Sequence, residues 1–174
     1  MVEMLVAISL ILLVLPGALS IAMKSISLST YQKDQLIATY LAEEGQELIR
    51  SVRDKNVLTI VRDGSGSWNT GFSGWGCNAT ACKIDLGENI TAGAGNLETL
   101  TSAPNATYRL YLDGSGFYTY TAAGNTPTPF YRGVFITPVG GLGDQVTIRS
   151  VVVWQTNFGR RKVTSSGYLA YWLR

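Results

Sequence analysis

Residues 2–23, VEMLVAISLILLVLPGALSIAM, run directly into residues 24–56, KSISLSTYQKDQLIATYLAEEGQELIRSVRDKN, and the reading of this join decides the fold. From Met4 to Met23 no residue is charged. As helix, twenty residues rise about 30 Å, the thickness of a bilayer's hydrocarbon core. A cleaved signal peptide has a shorter apolar region behind basic residues, whereas here the residue before the run is Glu3. A buried core helix would need more surrounding chain than follows. The segment therefore reads as a membrane helix. Pro16-Gly17 interrupts it, and a kink or locally unwound break is expected near residues 12–18, because proline removes a helix hydrogen bond.

The character changes after Met23. Ile37, Leu41, Leu48 and Val52 recur at helical spacing, with Leu36, Tyr40 and Ile49 beside them and Gly45 on the same stripe. Charges fill the opposite side, where Glu43 and Glu47 lead into Arg50. No turn signal separates the two halves. One helix over residues 1–56 is predicted, about 80 Å long if continuous, with a membrane half (1–23) and an amphipathic half (24–56).

Beyond Asn56 the signals are those of strands and turns. A glycine-rich loop, VRDGSGSWNTGFSGWGCNATAC (61–82), precedes TYRLYLDGSGFYTYTA (107–122), which alternates around Asp113-Gly114 as a hairpin does. PFYRGVFITPV (129–139) follows as a strand, and QVTIRSVVVWQTNFGRRKVTSSGYLAYWLR (145–174) as a second hairpin turning at Asn157-Phe158-Gly159. Val146, Ile148, Val152 and Trp154 share one face. The expected fold class is α+β: a long N-terminal helix packed on an antiparallel sheet of about four strands within residues 57–174. The stripe from Ile37 to Val52 is the apolar helix face available to cover that sheet.

Composition narrows the chemistry. The net charge is +2, with 14 Lys and Arg against 12 Asp and Glu, too small a basic excess to argue for nucleic acid. The cluster Arg160, Arg161 and Lys162 reads as a solvated turn. The chain has no histidine, which removes Ser-His and Cys-His catalysis. The two cysteines, Cys77 and Cys82, do not make a zinc site by themselves and read as a disulfide formed outside the cytoplasm. The phosphate-binding, dinucleotide-binding, redox and nucleophile-elbow motifs are all missing. Asp63-Gly-Ser-Gly and Asp113-Gly-Ser-Gly lack the later glutamate of a calcium loop and read as turns. No enzyme activity, cofactor or metal is expected.

VEMLVAISLILL followed by TYLAEEGQELIRSVRDKN closely resembles the N-terminal domain of type IV pilins and type II secretion pseudopilins. The resemblance is specific over residues 1–56 and architectural beyond them, where the terminal strand pair looks like that of minor pilins and pseudopilins. It implies a leader removed by a prepilin peptidase, N-terminal methylation, and assembly with other subunits by inner-membrane machinery. In the family a glutamate stands four residues after the mature N-terminal residue. Glu3 matches it, so the leader and two mature residues are expected to precede this chain. The resemblance also implies that Glu3 faces the N-terminal amine of a neighbouring subunit. A carboxylate at the centre of a bilayer costs about 2.5–3.5 kcal/mol, and such a cation offsets it. Without that partner, Glu3 sits at headgroup level.

Two function classes follow. One is a minor pilin or pseudopilin of a filament, with an extracytoplasmic domain that reaches the cell surface on assembly. The other is a single-pass, membrane-tethered binding domain that does not polymerise, for which Trp68, Phe72 and Trp75 would supply a contact surface unless they pack their loop onto the sheet. Lys24 and Lys33 would place the domain in the cytoplasm by the positive-inside rule. The cysteine pair places it outside and is preferred. The sequons at Asn78, Asn89 and Asn105 suit an exterior domain, though such triplets arise often by chance.

Overall fold

The computed structural model describes residues 2–72, 77–86, 90–94, 97–98, 103–139, 145–156 and 159–171. Trp75, Asn89 and the turn residues Asn157 and Phe158 lie outside them. The architecture is α+β, with one long N-terminal helix, α1 (Val2–Asp63), and an antiparallel sheet on which it packs. The chain divides into two compact units, Met1–Leu36 and Ile37–Arg174, and α1 contributes to both.

Two expectations about α1 need correction. It continues seven residues beyond Asn56, to Asp63, where Gly64 follows at φ 68° and its N–H bonds the Ile60 carbonyl at 2.9 Å. Glycine tolerates this left-handed geometry, so the true stop signal is Asp63-Gly64. Secondly, of the kink or locally unwound break expected near residues 12–18, the break is absent: Pro16 and Gly17 lie inside the continuous helix. Proline deprives only the carbonyl four residues earlier, that of Leu12, of its N–H partner, and the flanking turns keep the helix closed.

The sheet has seven strands rather than four: β1 (Cys82–Ile84), β2 (Ile90–Ala92), β3 (Arg109–Leu112), β4 (Tyr118–Thr119), β5 (Thr126–Pro138), β6 (Gln145–Thr156) and β7 (Gly159–Ala170). The two that the sequence did not announce, β1 and β2, have three residues each, too short for alternation to show. The long strands β5, β6 and β7 form the frame, β6 pairing antiparallel with both neighbours. On the far side of β5, β3 pairs with one end and β1 with the other. The hairpin turn at Asp113 is present: its carboxylate accepts from the N–H groups of Ser115 (2.8 Å) and Phe117 (2.9 Å). Arg160, Arg161 and Lys162 open β7 and are not a turn.

The face of β6 expected to be apolar does meet α1. Val146 and Ile148 pack with Ile49, Val52 and Val57, and Val152 and Trp154 with Ala38, Leu41 and Ala42. Val151 and Val153, on the other face, are also buried, under Leu97, Tyr108 and Phe135. The run Ser150–Trp154 is thus covered on both sides, as an unbroken apolar run in a strand implies.

The stripe of α1 that makes this contact keeps Leu41, Gly45, Ile49 and Val52 of the expected one and adds Ala38, Ala42, Gln46 and Val57. Its buried residues are Ala38, Leu41, Ala42, Gly45, Gln46, Ile49, Val52 and Val57. Leu36 and Tyr40 face solvent, at 55% and 62% exposure. The small side chains win because they let the helix approach the strands closely. At Gly45 the approach is close enough that a Cβ there would lie 2.5 Å from Ser150 Oγ and 3.3 Å from Arg132 Cδ.

Arg132, on β5, is wholly buried. Its guanidinium donates to the carbonyls of Leu41 (3.4 Å) and Ile84 (3.1 Å) and to Tyr120 Oη (3.2 Å). It also pairs with Glu44 at 3.2 Å. Burial works against this charge, but Tyr120 and Glu44 outweigh it and hold the guanidinium above its ordinary pKa. The Tyr120 hydroxyl donates in turn to the Arg132 carbonyl at 3.1 Å.

Two measurements test this packing. Gly45→Ala gains about 1 kcal/mol of helix propensity but forces an overlap of the kind that costs about 1–3 kcal/mol, so a net loss of stability is expected. Ser150 Oγ is buried without a hydrogen-bond partner, so Ser150→Ala alone is expected to be neutral or stabilising. The double variant is expected to melt at or above the parent, because the propensity gain survives and the closest overlap, with Ser150 Oγ, does not.

The second concerns alkaline pH. Burial raises the phenol pKa of Tyr108 and of Tyr120, the latter against the pull of Arg132. The folded state then holds these protons at a pH where the unfolded chain has released them. Their contribution is complete below about pH 10 and declines above it. Unfolding free energy measured across that range is expected to fall, and Tyr108→Phe to flatten the fall.

Candidate assembly surface

Fourteen large apolar side chains between Val2 and Met23 are exposed, Leu13 to 79%. The stretch is long and apolar enough to cross a bilayer, and none of its most apolar window is buried within the chain. At about 1.5 kcal/mol or more for each side chain removed from water, covering fourteen gains some 20 kcal/mol. That dwarfs the cost of one carboxylate, so Glu3 does not decide whether the segment inserts. Within the run, Ser9 satisfies its hydroxyl by bonding back to the Val6 carbonyl at 2.8 Å.

Glu3 stands in the first turn of α1, and among the described residues its carboxylate has no ion-pair partner. Acidic groups in a first turn are favoured by the unpaired N–H groups and the positive end of the helix dipole, by about 0.3–1 kcal/mol. The sequence reading missed this local contribution. The signal was available, for it needed only the position of the helix start. Pro16 and Gly17 lie inside the same apolar helix, and Gly17 has open space around its α-carbon. The structure thus brings Glu3 and the Pro16-Gly17 pair onto one exposed helix, while Cys77 and Cys82 belong to the other unit.

Cys77 and Cys82 form a disulfide, with α-carbons 5.2 Å apart. Both are buried among Ile84, Val134 and Ile136, and the Cys77 carbonyl accepts from Ile136 N at 2.9 Å. The bridge seals the end of the core and offers no reactive thiol. Trp68 and Phe72 are buried in the same cluster, with ring centroids 6.2 Å apart, and Trp68 stacks on Tyr171 at 6.4 Å. The Asn56 amide donates to the carbonyls of Trp68 (3.1 Å) and Thr70 (2.8 Å), tying the loop to α1. These aromatics pack the loop and do not present a contact surface.

Among the described residues no cluster of three or more metal-ligating side chains occurs. Of the sequons, Asn105 caps a short 3-10 turn at Ala106–Tyr108, its side chain accepting from Thr107 N at 2.9 Å. The Asn78 amide oxygen accepts from Thr137 Oγ1 at 3.2 Å. No protein-family model, curated relative or solved structure matches the chain.

Replacing both cysteines by serine is expected to lower stability by less than about 3 kcal/mol, the value for a loop of about fifteen residues, because this loop is shorter. Denaturant titration followed by intrinsic tryptophan fluorescence measures it. A larger loss would mean that the bridge does more than restrict the unfolded chain.

Proposed function

We propose that this chain is a structural subunit of a type IV pilus or type II secretion-like filament, a minor pilin or pseudopilin. The supporting observation is the apolar first half of α1, exposed along its length and carrying one acidic residue, Glu3, in its first turn. Lipid covers such a helix before assembly, and the same helices of neighbouring subunits cover it afterwards. The small domain formed by the second half of α1 and the sheet is then carried outside the inner membrane, where the Cys77–Cys82 bridge is stable. Partners on this reading are other pilin-like subunits, the inner-membrane assembly machinery, a prepilin peptidase acting on the precursor, and lipid. Glu3 pairs with the N-terminal ammonium of an adjacent subunit. In a medium of low dielectric that attraction far exceeds its value in water. The role is structural, without enzymatic chemistry or a cofactor.

Glu3→Ala, introduced into the native gene, is expected to leave membrane insertion intact. It is expected to cut incorporation into filaments at least tenfold, measured as tagged protein co-sedimenting with sheared filaments. Equal incorporation of both forms would remove the pairing role and favour a tethered domain that does not polymerise.

A further inference from the structure

We infer that Arg132, together with Glu44 and Gly45, is a register lock that sets the position of the Ile37–Asp63 part of α1 on the sheet. Apolar burial is non-directional and scales with area, so it sets register only through which residues enter the stripe. A shift by one four-residue step, about 6 Å along the axis, puts Ala42 in the place of Ala38 if it runs one way and Leu48 in the place of Val52 if it runs the other, although the first also brings Arg53 to the place of Ile49 and the second Asp34 to that of Ala38.

The polar centre of the contact does not permit the same exchange. Arg132 is wholly buried, and its hydrogen bonds reach α1 at Leu41, β1 at Ile84, and Tyr120. Its countercharge comes from Glu44, whose side chain is 33% exposed at the rim. After a four-residue shift, Tyr40 or Leu48 replaces Glu44, and Leu41 or Ile49 replaces Gly45 against Ser150. A cation would stay buried without its anion, and a branched side chain would occupy space that does not admit one methyl group. A buried pair often adds little net stability over an apolar substitute, yet an unpaired buried charge is strongly penalised. The triad therefore acts chiefly against wrong registers. This holds equally for a filament subunit and for a lone tethered domain.

The test uses the full chain in detergent micelles and engineered cysteine pairs. Gln46 and Ser165 touch, Ser165 Oγ donating to Gln46 Oε1 at 2.7 Å, so the pair Gln46→Cys with Ser165→Cys reports the native register. Ala42→Cys or Arg50→Cys with Ser165→Cys reports a shift of four residues either way. The native Cys77–Cys82 bridge leaves no free thiol to interfere. With Arg132 present, the native pair is expected to cross-link at least tenfold faster than either shifted pair. Arg132→Met is expected to reduce that ratio tenfold or more. Should this variant fail to fold, Arg132→Met with Glu44→Met removes both charges and is expected to show the same loss of discrimination. An unchanged ratio in whichever variant folds overturns the inference. Failure of both to fold overturns it as well, since the arginine would then be a stability element and not a register device.

Discussion

The close contact between one face of α1 and the strands β5, β6 and β7 is the constraint on which the unit Ile37–Arg174 depends. The sheet has an apolar face too wide to leave in water, and α1 brings the stripe that covers it. Contact at this distance requires small residues, and Ala38, Ala42 and Gly45 supply them. Larger side chains at those positions would hold the helix off the sheet and leave voids between it and the valines of β6. The exposed positions of Leu36 and Tyr40 follow from the same geometry, since a helix can turn only one face to a sheet.

Closeness has an electrostatic consequence. Where α1 crosses β5, Arg132 lies in the middle of an otherwise apolar interface and is sealed from water. It is tolerated because nearly every donor it carries is met by carbonyls from two elements, by a phenol and by a carboxylate at the rim. The side chain thereby joins α1, β1 and β5 in one network. β1 gains most, since its ladder pairing with β5 is confined to Cys82 and Val134. The disulfide and the bond from Ile136 N to the Cys77 carbonyl complete the attachment of that short strand.

The first unit obeys a different rule. The most apolar stretch finds no cover within the described chain, so the free energy that burial would contribute is left to the surroundings. A helix that met all its needs internally would have no reason to insert or to associate. On the proposed reading, the division between a self-sufficient domain and an unsatisfied helix is what suits the chain to assembly.

Much of this was legible in the residues themselves. A charge-free run of membrane length, an apolar repeat at helical spacing, alternation in the terminal hairpin and two cysteines in a glycine-rich loop are local signals, and each reports a local preference of the backbone or of burial. They were enough for the long helix, the antiparallel sheet and the disulfide. Other features depended on distant partners. Alanine and glutamine on α1 join Leu41, Gly45 and Ile49 as contact residues while Leu36 and Tyr40 do not, because of the shape of the strands opposite. Valines on both faces of β6 are buried because the segment carrying Leu97 and Tyr108 folds back over them. Arg132 reads in isolation as an ordinary polar strand residue, and only the convergence of Leu41, Glu44, Ile84 and Tyr120 makes its burial possible. Sequence periodicity records which residues are suited to an interface; which of them meet, and at what distance, is decided by close packing, which no local signal encodes.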